Sequence, residues 1–145
     1  VSHASSSLCR CEVFDAYFYR HLQIYESAKL PRSRSHLLLL FYAVECGLKA
    51  MLLKQIRKDT TESFNEHFVL GDKLSGRHGH NIKYMAEYLK IPDISLPKLP
   101  CVNRADAAPE QYQEVWRYGI KADERKEKEI EQSLCNLVLR IREEL

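Results

Sequence analysis

Apolar residues along this chain recur at helical spacing, and breakers divide them into separate segments. From about Leu8 to Ala28 the stripe runs through Val13, Tyr17, Ile24 and Ala28, widened by Phe14, Phe18 and Tyr25, which predicts a first helix. Pro31 disfavours helical geometry at Leu30, and the polar RSRS that follows offers Ser33 or Ser35 as the cap of a second helix reaching about Arg57. That helix is apolar nearly all round from Leu37 to Leu53, the pattern of a central, buried element. Asp59 to Gly79, with three glycines around Phe64, Phe68, Val69 and Leu70, reads as a loop with at most one helical turn. Asn81 can cap a third helix to about Lys90, which turns Ile82, Met85, Ala86 and Leu89 inward and leaves Lys83, Glu87 and Lys90 in water.

Four prolines from Pro92 to Pro109 then exclude regular structure over a long connection expected to wrap the protein. Glu110 to Tyr118 predicts a short helix. The last long helix starts near Ala122 and carries the cleanest period of all, with Ile130, Leu134, Leu137, Val138, Ile141 and Leu145 on one face. Its opening DERKEKE has no apolar side. Those turns are expected to project beyond the core, held by i,i+4 pairs such as Glu124 with Lys128 and Arg125 with Glu129. No segment alternates as a strand would, so the expected architecture is all-α: an antiparallel, up-down bundle of four main helices with one or two short ones.

Length and charge narrow this further. The 145 residues suit a single domain over residues 8–145, with VSHASSS at residues 1–7 read as a flexible leader, an expression remnant or a truncated natural end. A formal charge of +2 with interspersed signs gives no whole-molecule pull toward nucleic acid, so any such binding must be local. Five cysteines without a CxxC pair argue against a disulfide scaffold or a zinc site, and a reducing cytoplasm fits best. The longest stretch lacking a polar residue, Leu37 to Val44, falls short of the roughly 20 apolar residues of a membrane span.

Candidate chemistry starts with Glu45 and Lys49, one turn apart inside an apolar run. A charge kept there needs a partner, for structural or functional reasons. Two further polar clusters, Arg77-His78-Gly79-His80 and Trp116-Arg117-Tyr118, can meet them at one end of a bundle. On the structural reading, Glu45 accepts bonds from His80 or Arg117 and the network fixes helix register. On the functional reading, Arg117, Lys49 and the histidines hold a phosphate. A second grouping, Arg20, His21, Lys29, Arg32, Arg34 and His36 near Tyr17, Tyr19 and Tyr25, has the composition of a base-stacking patch, although a solvated helix junction explains it as well because these aromatics also supply the core stripe. His78, His80 and Cys101 lack the fourth ligand and the spacing of a structural metal site, so no metal is expected. Trp116 reads as a core anchor.

AVECGLKAMLLK, the GHNIKYMAEYL that opens a short helix behind His80, and WRY ahead of a long charged final helix together resemble the HEPN domain (higher eukaryotes and prokaryotes nucleotide-binding) over about Phe14 to Leu145. The resemblance implies an all-α bundle, a homodimer, and work beside a nucleotidyltransferase-type partner in toxin–antitoxin, antiphage defence or RNA-processing systems. Many HEPN proteins are metal-independent ribonucleases in which Arg, four to six residues and then His form the site; His moves a proton and Arg stabilises phosphate charge. Here Arg32 and His36 are separated by three residues, Arg77 and His80 by two, and the final helix has no histidine. The expectation is therefore a nucleotide- or RNA-binding accessory domain without a cofactor, using Glu45, Lys49, His80, Arg117 and Tyr118: Glu45 orients the cations, these meet phosphate, and Tyr118 stacks or lines the site. The alternatives are a divergent ribonuclease using Arg77, His78 and His80 or Arg32 and His36, and an assembly module in which DERKEKE and the proline-rich connection contact another chain.

Overall fold

The computed structural model describes residues 10–58 and 80–145. The leader, the expected loop over 59–79 with its apolar patch, and the candidates Arg77 and His78 lie outside them. Five α-helices follow in order: α1 Arg10–Ser27, α2 Arg34–Lys58, α3 Ile82–Tyr88, α4 Tyr112–Arg117 and α5 Glu124–Glu144, with a 3-10 turn, Pro109–Gln111, leading into α4. The described residues contain no β-strand; two isolated bridges, Leu99 with Ala107 and Cys101 with Ala122, are their only extended pairing. The fold is all-α.

Local chemistry sets the helix ends. Ser33 accepts the first backbone donors of α2, from His36 and Leu37, on its carbonyl. The Asn81 side chain accepts from the Tyr84 N–H, and that of Asp123 from the Lys126 N–H, each satisfying a donor that has no partner inside its helix. Both short helices stop on a left-handed residue. Lys90 (φ 57°) follows α3 while Ile91 N–H returns to Ala86 C=O; Gly119 (φ 64°) follows α4 while Ile120 N–H returns to Val115 C=O. These are Schellman endings, and Gly119 takes the left-handed backbone without the steric cost that Lys90 bears.

One core organises the helices. Phe18 and Leu22 of α1, Leu40, Phe41, Leu48 and Leu52 of α2, Ile82 and Met85 of α3, Tyr112 and Val115 of α4, and Ile130, Leu134, Leu137 and Ile141 of α5 are all buried in it. On α1, rising numbers meet falling ones on α2: Phe14 with Lys49, Phe18 with Gly47, His21 with Tyr42, so the two run antiparallel. Arg34 meets Glu127 and Gly47 meets Ile141, so α5 runs in the same sense as α2. Helix α2 lies between them. Its span Arg34–Gln55 is long and apolar enough, by composition alone, to cross a membrane; here it packs against α1, α3, α4 and α5, with just over half of its most apolar window buried.

Gly47 is where this packing is closest. A Cβ built there would stand 2.7 Å from Ile141 Cγ2 and 2.8 Å from Phe18 Cδ1, inside the contact distance of carbon atoms. Alanine favours a helix interior by about 1 kcal/mol over glycine, but forcing a methyl into a filled core costs about 1–3 kcal/mol. Gly47→Ala is accordingly expected to lower the urea midpoint, and Gly47→Ala with Ile141→Ala to cost less together than the sum of the two single losses, because Ile141 supplies two of the three clashing atoms.

The opening of α5 departs from expectation. DERKEKE does not project: Glu127 is 7 % exposed, accepts a 2.9 Å bond from Trp116 Nε1 and lies 3.4 Å from an Arg34 guanidinium nitrogen, while Arg34 also donates to Ile120 C=O at 2.6 Å. The ion pair on the outer face is Lys126 with Glu129, three residues apart, rather than the expected i,i+4 pairs. The physical reason is an indole N–H that must find an acceptor when buried, which draws the first turn of α5 onto α4.

The connection from α3 to the 3-10 turn is pinned as well as irregular. Leu96, Leu99 and Ala107 are buried, the Tyr112 hydroxyl donates to Pro97 C=O, and Asp123 N–H reaches Pro100 C=O at 2.9 Å.

Candidate functional site

Helix α2 places Tyr42, Glu45, Cys46 and Lys49 on one side, within two turns of each other. Glu45 is 5 % exposed and its carboxylate is the hub: Lys49 Nζ donates to Oε1 at 3.0 Å, and His80 Nδ1 lies 2.9 Å from Oε1 and 3.2 Å from Oε2. Bonding to a carboxylate puts a proton of His80 on Nδ1, which leaves Nε2 as the ring nitrogen open to a further partner. Among the described residues Nε2 has no partner, and the side chain is about one-third exposed. His80 sits immediately before the Asn81 cap, with its ring against Phe41, so the start of α3 and the wall of α2 hold it in place.

Lys49 is not a free cation. Its side chain is 11 % exposed, its ammonium is committed to Glu45, and the Phe14 ring lies 5.6 Å from it. A charge so enclosed neutralises Glu45 more than it greets a ligand. Cys46 beside it is held protonated: burial, with the Glu45 charge, pushes its thiol up to about 11, which removes it as a nucleophile at neutral pH.

Arg117 and Tyr118 stand apart from Glu45. They end α4 and are exposed, Tyr118 by 69 %. Arg117 donates to the Tyr42 hydroxyl and stacks with its carbon 5.9 Å from that ring, so the expected Arg117 to Glu45 bond is replaced by a contact one turn earlier on α2. The cause is position: α4 packs Tyr112 and Trp116 against Phe41, buries Val115 and leaves Arg117 at the rim.

Tyr42 also meets His21 of α1, centroids 6.1 Å apart, and His21 stacks on Tyr17 at 5.9 Å with planes 15° apart. Burial, reinforced by Arg20 and opposed by Glu45, holds the His21 imidazole below its ordinary value, so it is neutral at pH 7. Tyr42 is the neighbour that sequence reasoning passed over as a site residue, and His21, which entered only through the basic aromatic grouping on α1, was not joined to this site. Tyr42 looked like one more core aromatic between Phe41 and Ala43, and only the folded position of Arg117 distinguishes it.

Tyr17, Arg20 and His21 stay together on α1, and the rest of the other groupings disperse. Arg32 donates through Nε to Tyr25 C=O at 3.2 Å and stacks over the Tyr25 ring at 4.2 Å, whereas His36 Nδ1 engages Ser33 Oγ at 2.8 Å, so Arg32 and His36 form no pair. Tyr25 is buried, its hydroxyl donating to Glu131 beside Cys135, which removes it from any surface patch. Arg34 belongs to the Glu127 network. Cys101 donates its thiol proton to Leu99 C=O, and no group of three metal-ligating side chains exists among the described residues.

Compared with known family models, curated proteins and solved structures, the chain matches none.

Proposed function

We propose that this chain is a HEPN-like domain, a four-helix up-down bundle of the cytoplasm that binds a nucleotide or RNA as an accessory to a nucleotidyltransferase-type or similar partner, without cleaving it. A homodimer and a place in toxin–antitoxin, antiphage or RNA-related systems belong to the same proposal, which rests on the sequence resemblance. What supports it in the site is one observation: Glu45 braces His80, whose Nε2 has no partner among the described residues, while Arg117 stands exposed on Tyr42, one turn from Glu45 on α2. An imidazole braced on Glu45 and a guanidinium fork braced on Tyr42 suit a phosphate and the base or sugar attached to it. Lys49 contributes by pairing with Glu45 and holding it in place.

Arg117→Ala and His80→Ala are each expected to weaken binding of ATP or a labelled RNA at least tenfold in fluorescence or calorimetric titration. Far-UV circular dichroism should stay unchanged for Arg117→Ala, because that side chain is exposed. Undiminished affinity in both variants, or no affinity in the unmodified protein, would remove the proposal.

The Glu45 and His80 pair also favours a second reading. A carboxylate that fixes the proton on Nδ1 leaves Nε2 able to act as a general base toward a 2′-hydroxyl. RNA cleavage in EDTA that disappears in His80→Ala would replace the accessory role with a ribonuclease.

A further inference from the structure

From the row Tyr17, His21, Tyr42 and Arg117 we infer that the ligand of this face is a single-stranded nucleic acid whose bases stack on the outer ring of the row, an inference that rests on the nucleotide- or RNA-binding proposal above. The row runs from α1 across α2 to the end of α4 in three nearly equal steps, 5.9, 6.1 and 5.9 Å. Its members are held from behind. His21 is half-buried, Tyr42 is half-buried with its hydroxyl taken by Arg117, and α1 and α2 are tied together through the core beneath them.

The outer end is open. Tyr17 is 45 % exposed, with one face covered by His21. The rings are too close for insertion: a base slipped between two others needs their planes about 6.8 Å apart, twice the 3.4 Å stacking rise, and Tyr17 and His21 are nearly parallel with centroids 5.9 Å apart. A base therefore lands on the free face of Tyr17 and extends the row. Only an unpaired strand offers its bases this way, since in a duplex both faces are already covered.

Charge selects the same class. Arg20 lies beside Tyr17 and His21 on exposed α1 surface, Arg117 closes the other end, and neither makes an ion pair with a described carboxylate. Two guanidiniums flanking a neutral imidazole repel a cationic ligand and suit the anionic backbone that carries the bases. The chemistry is sequence-tolerant, because every base has a π-face.

The test is a titration of a fluorescein-labelled 12-nucleotide oligo(U) RNA, an oligo(A) RNA and a 12-base-pair duplex with the full chain. Both single strands should bind at least tenfold more tightly than the duplex, Tyr17→Ala should cost about tenfold on both, and Tyr17→Phe should retain affinity because it keeps the ring. Affinity unchanged in Tyr17→Ala, or a duplex bound as tightly as the strands, overturns the stacking row while leaving the nucleotide-binding proposal standing. An unmodified chain that binds neither oligonucleotide nor ATP overturns both.

Discussion

Glu45→Ala should lower the unfolding free energy by about 3–5 kcal/mol, the largest loss expected of any single polar substitution in this chain. The side chain is almost fully enclosed and receives both Lys49 and His80, so its removal leaves the Lys49 ammonium in an apolar setting without a partner. Unfolding in urea gives the number directly, with the slope of the transition reporting whether the folded state stays compact. Glu45→Leu combined with Lys49→Met should recover most of the loss, because removing both charges at once abolishes the desolvation cost that each alone would incur. His80, one-third exposed, can be hydrated in that variant. A doubly apolar variant as unstable as Glu45→Ala would mean that the acid serves stability through His80 rather than Lys49. If the doubly apolar chain folds well yet loses ligand affinity, the carboxylate is there to hold His80 for binding, and the fold itself does not need it.

Trp116→Ala should cost a comparable amount, about 3–5 kcal/mol, for a different reason. The indole is 3 % exposed, packs on Phe41 and Tyr112, and donates to Glu127. Truncation opens a cavity and also strips the buried Glu127 carboxylate of a donor, leaving Arg34 at 3.4 Å as its partner. Trp116→Phe separates the two effects: it keeps most of the volume and loses the bond, for an expected cost of about 1.5–3 kcal/mol typical of a hydrogen bond to a charged group. Adding Glu127→Gln to Trp116→Phe should restore part of that, since a neutral amide suffers less from losing the indole. Chemical unfolding followed by circular dichroism suits this pair, because Trp116 is the sole tryptophan and its variants lose the fluorescence signal.

How much of this was legible beforehand follows from what leaves a periodic trace. The α5 stripe through Ile130, Leu134, Leu137 and Ile141 and the caps at Asn81 and Ser33 show up as spacing and residue type, and the helices stand where these signals place them. Glu45 and Lys49 were visible because two charges in an apolar run are conspicuous. Glu127 was not, since it hides among other charges in DERKEKE; yet it falls three residues before Ile130 on the same stripe, and a single buried tryptophan needing an acceptor was the signal that could have found it. The rim was hardest to read. Arg117 could be named from its neighbours Trp116 and Tyr118, but whether it turned to Glu45 or to Tyr42 depends on where a six-residue helix docks, and nothing in the local pattern encodes that distance. The same holds for His21, a polar residue on the edge of an aromatic stripe, whose partners come from a helix about twenty residues further along.

Gly47 is the sole glycine of α2, and it stands where Phe18 from α1 and Ile141 from α5 close on the same point of that helix. Chains that keep this architecture over divergent sequence should therefore vary these three positions as a set, a larger residue at 47 arriving only with a trimmed one at 18 or 141. Such compensating exchange would make this triplet a marker of shared ancestry readable where overall similarity has faded.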